Sequence, residues 1–229
     1  MADKLYPPVK KRLLARLLTF FFRMLYHPFA WTYDLVAAAV SLGQWKRWVF
    51  EAEQMLKGKR VLELGFGPGH LQARLAGGGY QVFGLDESAQ MARQAGGRLR
   101  KKNLTPRLSR GLAQALPFPT GAFDSVVATF PTQYIVDPAT LTEIYRVLRP
   151  GGRLVVLFSA WITGKSAPEK ALALLFRTTG QSPSVTDVGT PNLLPFRQVE
   201  VKIVEPKGSR LLFVIAEKEA EINSASRQI

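Results

Sequence analysis

The sequence predicts an α/β fold: a doubly wound sheet of seven strands, mostly parallel with the last strand antiparallel, preceded by a block of helices. Three observations carry that expectation. From residue 59 onward, short apolar runs alternate with helical stretches, the order that places helices on both faces of a parallel sheet. The runs are mostly continuous and apolar, as in strands covered on both sides. Past Pro195 the pattern changes: Val199, Val201 and Ile203 alternate with Glu200 and Lys202. Lys207, Gly208 and Ser209 then lead into the run Leu211 to Ala216, an antiparallel hairpin.

Residues 1–8 carry Pro7 and Pro8 and read as a loose arm. From Val9 to about Tyr26, Arg12, Arg16, Thr19 and Arg23 make one stripe of a helix. Leu14, Leu17, Leu18, Phe21 and Leu25 make the opposite stripe, so this helix is basic, amphipathic and aromatic. Pro28 ends or kinks it. A second helix is expected from Trp31 to Leu42, and a third from Gln44 to Leu56, with Trp45, Trp48 and Phe50. Strands follow near 59–64, 80–85, 106–110, 123–129 and 152–158, and helices near 69–77, 88–101, 138–148 and 166–178. Residues 218–229 form a polar tail. The division expected is 1–56, helical, and 57–229, the α/β domain.

Composition narrows the chemistry. At 229 residues with 47% apolar content, the chain suits one α/β domain with an appended segment. It has no cysteine, which excludes disulfides, thiolate metal sites and cysteine nucleophiles. With only His27 and His70, no metal site is expected. Thirty-one basic against 17 acidic residues give a net charge of +14, which favours anionic surfaces such as nucleic acid or acidic lipid. No run reaches about eighteen apolar residues, so no membrane-spanning helix is expected. The start resembles a signal peptide faintly, but Arg16 and Arg23 interrupt its apolar part. A cytoplasmic chain beginning at Met1 is the expectation.

Residues 59–71 read Lys-Arg-Val-Leu-Glu-Leu-Gly-Phe-Gly-Pro-Gly-His-Leu. An apolar run breaks into a loop with Gly65, Gly67 and Gly69, where backbone amides can approach a ligand closely. Seventeen residues past Gly69, Asp86 ends the next apolar run, placed to accept both hydroxyls of a ribose. A dinucleotide fingerprint would need a third glycine, but His70 stands there counting from Gly65, and Gln72 counting from Gly67. Glu63, two residues before Gly65, would repel a pyrophosphate and suits a ligand carrying an ammonium and a sulfonium.

Together with residues 111–128 and 143–157, this loop resembles the class I S-adenosylmethionine-dependent methyltransferases over roughly residues 58–160. The resemblance implies a Rossmann-like fold, S-adenosyl-L-methionine as cofactor and S-adenosyl-L-homocysteine as product. It places Glu63 at the methionine amino end, although a helix-capping role is the alternative. It places Gly65, Phe66, Gly67, Gly69 and His70 against the cofactor, with Asp86 and Glu87 at the ribose. His70 could instead serve as a base. Leu112, Ala113 and Gln114 fall at the adenine; Leu112 stands where relatives commonly carry an acid, so apolar packing, backbone groups or Gln114 must hold that ring. Thr129 and Phe130, after the fourth strand, lie against the methyl donor. The segment is not Asn/Asp-Pro-Pro-Tyr/Phe, the signature of enzymes that methylate exocyclic amines.

Methyl transfer is an in-line displacement that needs alignment, desolvation and sometimes a base. Tyr134, Tyr33 and His27 are the catalytic candidates, with Asp137 and Glu143 as further possible bases. Tyr33 and Asp34 resemble a Tyr-Asp pair of the quinone-methylating branch, where the tyrosine helps close the site; packing among helices is the rival role. The resemblance makes residues 1–56 a lid, and their basic, aromatic character suits the face of an anionic membrane. Packing on the protein's own core or a second subunit is the alternative. The acceptor expected is small, apolar or lipid-like, such as a quinone ring or phospholipid amine, handled at the inner membrane face. A second expectation is an RNA methyltransferase using Arg98, Arg100, Lys101, Lys102, Arg107 and Arg110, which have no acid among them. A third is a cofactor-binding protein without catalysis.

Overall fold

A computed structural model describes residue 41 and residues 43–163 and 193–220. The helices expected near 9–26, 31–42 and 166–178 lie outside the described residues, as do His27, Tyr33 and the tail beyond residue 220. The described part begins with α1 (Trp45–Glu51), a 3-10 turn (Ala52–Met55) and β1 (Arg60–Leu64). Then come α2 (His70–Gly77), β2 (Gln81–Asp86), α3 (Ala89–Arg100), β3 (Leu108–Arg110) and β4 (Phe123–Thr129). A second 3-10 turn (Gln133–Val136), α4 (Pro138–Val147), β5 (Leu148–Ile162), β6 (Gln198–Val204) and β7 (Ser209–Glu217) complete it.

The seven strands form one sheet in the order β3-β2-β1-β4-β5-β7-β6. β1 pairs in parallel with β2 and β4, while β7 runs antiparallel to both β5 and β6. This is the doubly wound, seven-stranded sheet with one antiparallel strand that the sequence predicts. Its strand order reverses at β1, and ligands bind at the carboxyl ends of strands beside such a reversal.

Both faces are covered, which explains why the inner strands are mostly apolar. Along β1, Leu62 and Leu64 join the core shared with Leu141, Ile144 and Val147 of α4. Val61 joins the opposite core, with Trp48 and Val49 of α1 and Leu71 and Leu75 of α2. Side chains such as these contribute about 1.5–3 kcal/mol each on full burial. Helix starts follow local chemistry. Ser88 Oγ accepts the Met91 N–H at 3.3 Å to open α3, and Asp137 accepts the Ala139 N–H at 2.9 Å to open α4, with Pro138 in its first turn.

The stretch expected as one helix over 44–56 is α-helical only to Glu51 and then tightens into the 3-10 turn. It is a layer of the α/β body. Trp48 Nε1 donates to Ser209 Oγ at 2.9 Å, that hydroxyl donates on to Gln44 Oε1 at 2.7 Å, and Arg153 Nη1 donates to the Met55 carbonyl at 2.9 Å. β5 is longer than expected, because its last residues, Ser159 to Ile162, pair with Leu212 to Ser209 of β7.

Candidate active site

The loop leaving β1 is built by backbone that glycine alone adopts without strain. Gly65, Gly67 and Gly69 all have positive φ, at 66°, 51° and 79°. At Gly69 there is a second reason for glycine: a Cβ there would lie 2.6 Å from the Ala95 Cβ of α3. The turn is also tied from outside. Gly65 N–H donates to the Leu85 carbonyl at 2.8 Å, and Arg98 Nε of α3 donates to the Pro68 carbonyl at 2.8 Å. The Phe66 ring is buried in a small cluster with Met91 and Ala95.

Two carboxylates stand at this loop. Asp86, at the tip of β2, accepts the Gly67 N–H on Oδ2 at 2.9 Å and the Ser88 N–H on Oδ1 at 2.8 Å. Desolvation raises its pKa; the Ser88 and Gly67 bonds oppose that shift, and the nearby Glu87 charge adds to it. Glu63 is the more unusual group. It is buried, its Oε2 has no hydrogen-bond partner, and burial pushes its pKa up to about 8 despite a hydrogen bond from Gln72. Asp86 adds a smaller upward push. Gln72 of α2 is itself fully buried, donates Nε2 to the Phe83 carbonyl at 3.1 Å, and leaves its Oε1 unpartnered. In the sequence Gln72 stood out only as a missing glycine; a polar residue between Leu71 and Leu75 on the sheet-facing side of a helix was the available signal.

The other expected residues fall around this centre. His70 is buried at the first position of α2. Glu87 is exposed, and its carbonyl accepts from Arg110 Nη2 at 3.3 Å. Gly111 N–H donates to the Asp86 carbonyl at 3.2 Å, which brings Leu112 next to the acid with 58% of its surface exposed. Ala113 is buried, and Gln114 Nε2 donates to Asp137 Oδ2 at 3.0 Å. Thr129 ends β4. Phe130 follows with φ 50°, its ring stacked on Trp45 of α1 at 4.2 Å between centroids. Tyr134 is half-buried, with its hydroxyl against the loop: a Cβ on Gly65 would lie 2.8 Å from it. Asp137 and Glu143 have structural work. Asp137 caps α4, and Glu143 accepts from Arg146 at 2.7 Å and from the Leu116 N–H at 2.7 Å.

Known proteins share this layout. A family profile described as "Methyltransferase domain" matches residues 61–152, from β1 into β5. The chain is 37% identical over 141 residues to the ubiquinone/menaquinone biosynthesis C-methyltransferase UbiE of Pectobacterium carotovorum subsp. carotovorum, covering 58% of this chain and 56% of that one. The match and this relative support a class I S-adenosylmethionine-dependent methyltransferase domain over residues 61–152. The methyltransferase of Yersinia pestis (strain Pestoides F) with the same description is 36% identical over the same coverage. The chain thus spans little more than half the length of these curated relatives. Among solved structures, a Methanococcus maripaludis protein assigned to the S-adenosyl-L-methionine-dependent methyltransferases is similar with a TM-score of 0.57. It is 17% identical, covering 86% of this chain and 96% of its own. The Haemonchus contortus phosphoethanolamine N-methyltransferase 2, in complex with phosphomonomethylethanolamine and S-adenosylhomocysteine, gives 0.53 at 19% identity, covering 77% and 53%. At such identities these two show the fold of this chain alone. Among its described residues no helix is long and apolar enough to cross a membrane, and no three His, Cys, Asp or Glu group as a metal site.

Proposed function

We propose that this chain transfers a methyl group from S-adenosyl-L-methionine to a small apolar acceptor of the quinone-ring or lipid type, working against a membrane surface. The observation that carries the reading is Glu63: a buried carboxyl with one oxygen unpartnered, on the strand that leads into a glycine turn tied down by Asp86. Such an oxygen is suited to a ligand cation, and the cofactor's amino group is one. The acceptor class rests on the 37% identity to a quinone-biosynthesis C-methyltransferase.

The cofactor supplies an activated methyl on a sulfonium and leaves as S-adenosyl-L-homocysteine. The chain's residues divide the remaining tasks. Asp86 uses two acceptor positions on backbone N–H groups and offers the rest to the ribose hydroxyls. Glu63 holds a proton at neutral pH and releases it when a cation settles beside it. Leu112, exposed beside Asp86, and buried Ala113 give the adenine an apolar seat. Tyr134 presents its hydroxyl at Gly65, where it can orient an acceptor or relay its proton. His27 and Tyr33, with the rest of residues 1–40, would close over the site and bring it to anionic lipid, in keeping with the net charge of +14.

Labelled methyl transfer tests this directly, offering in parallel a ring-demethylated quinol, phosphatidylethanolamine and total RNA. Label in the quinol is expected. Label in RNA would favour the basic stretch from Arg98 to Arg110 as a phosphate-binding face, and tight cofactor binding without any transfer would make the chain a binding protein. Co-sedimentation with anionic vesicles at low salt is expected, and its absence would remove the membrane from the proposal.

A further inference from the structure

We propose that β6 is a docking edge through which two copies of this chain join their sheets, antiparallel and centred on Val201. The sheet order ends at β6, and among the described residues its outer edge pairs with nothing. Exposed edges are normally blunted by a bulge, a proline or repelling charges. Between Gln198 and Val204 there is no proline, and the pairing with β7 runs without a register shift.

The two faces of this edge complement themselves. Val199, Val201 and Ile203 make an apolar row on one face, only partly buried by the chain's own core. Glu200 and Lys202 project from the other face and are exposed. A two-fold axis through Val201 sets Val199 opposite the second copy's Ile203, Val201 opposite its own counterpart, and Glu200 opposite the second copy's Lys202. The last pair occurs twice. Moving the centre by one residue sets Glu200 against Glu200 or Lys202 against Lys202. Opposite charges directly across strands stabilise a pair and like charges destabilise it, so the charges select one register. A non-specific partner strand would find no such match, which is why a second copy is the occupant argued here. β7, β5 and β4 separate this edge from β1 and the glycine turn, so the joined sheets leave the site open.

Sedimentation velocity of the full chain over a range of concentrations reads the association. A monomer–dimer equilibrium is expected. Glu200→Lys or Lys202→Glu alone should each weaken it about ten-fold or more at low salt, since both cross-strand pairs become repulsive. The double exchange Glu200→Lys with Lys202→Glu restores opposite charges and should restore the dimer. An equimolar mixture of the two single variants should form heterodimers, because an all-basic edge then meets an all-acidic one. A wild-type chain that stays monomeric at every concentration, as it would if residues 164–192 cover this edge, overturns the proposal. So does a dimer indifferent to both charge changes.

Discussion

Asp86 accepts the N–H of Gly67 at 2.9 Å, so the carboxylate at the tip of β2 ties down the middle of the glycine turn that leaves β1. Its other oxygen takes the Ser88 N–H at 2.8 Å and so sets the start of α3. A carboxylate has about four acceptor positions, and two are spent on backbone. The group proposed to grip the ribose therefore also shapes the turn that faces it.

Asp86→Asn separates these duties from simple shape. An amide has one acceptor oxygen, so it cannot accept from both Gly67 and Ser88 while also serving a diol. Charged hydrogen bonds are worth about 1.5–3 kcal/mol, so cofactor affinity is expected to fall roughly 10- to 100-fold in a variant that still folds. Calorimetry of S-adenosyl-L-methionine binding checks this. Undiminished affinity would mean that the sugar is held elsewhere.

Glu63 gives a pH signature. Its pKa lies at about 8 in the folded protein, against 4.5 for the free side chain, chiefly because it is desolvated. Between those values the folded state binds more protons than the unfolded one, so stability contributed by this group falls as pH rises from about 4.5 through about 8. Glu63→Gln should flatten that slope in urea melts taken across the window. Cofactor binding runs the other way. A cation beside Glu63 favours its ionised form, so affinity rises with pH up to about 8, and a proton is released on binding near pH 7. Calorimetry in two buffers of different ionisation enthalpy measures that proton. Finding none released would show that Glu63 keeps its proton with the cofactor bound.

Gly69 is constrained twice over, and the two constraints can be pulled apart. With φ at 79° and a prospective Cβ only 2.6 Å from the Ala95 Cβ, Gly69→Ala meets both left-handed strain and overpacking. The two together cost about 2–5 kcal/mol. Adding Ala95→Gly removes the side-chain contact but leaves the Ala95 Cα at 2.9 Å and the φ penalty. Partial recovery in denaturant melts is expected; full recovery would mean that the backbone conformation at 69 is not strained by a side chain.

What the sequence made legible was what depends on short-range pattern. The continuous run at 61–64, the acid ending the run at 86 and the alternation at 199–203 each name their own environment, and the sheet follows from their order. What it hid depends on distant partners. β5 extends to Ile162 because β7 lies beside it, and nothing between residues 158 and 162 announces that pairing. The 3-10 turn after Glu51 shows no break in composition. Gln72 was readable only as a residue that failed a motif, since its role depends on Glu63 lying on the neighbouring strand face. Asp137 and Glu143 looked like free carboxylates because their backbone partners, Ala139 and Leu116, leave no mark in the sequence.

Phe130 was legible as an apolar residue after β4, but not as a strained one. Its φ of 50° is uncommon for a side chain of this size and costs on the order of 1–3 kcal/mol. Three contacts hold it there: its N–H donates to the Leu157 carbonyl at 2.7 Å, its ring stacks on Trp45 at 4.2 Å with 26° between planes, and it meets the Trp48 ring at 6.5 Å between centroids. The residues that follow carry Tyr134 to the glycine turn. Trp45→Ala removes the stack, worth about 0.5–1.5 kcal/mol beyond lost burial, and frees Phe130 to relax toward ordinary backbone. Tyr134 would then lose its fixed approach to Gly65, while Glu63 and Asp86, anchored on β1 and β2, would not move. The expected result is a fall in kcat of about ten-fold with cofactor affinity changed less than about two-fold, the mark of a positioning effect on the transfer step. Phe130→Gly should share the catalytic loss, with the relief of φ offsetting only part of the stability lost with the ring's packing. If affinity and kcat fall together in Trp45→Ala, α1 supports the cofactor site as a whole and the stack has no separate role in placing Tyr134.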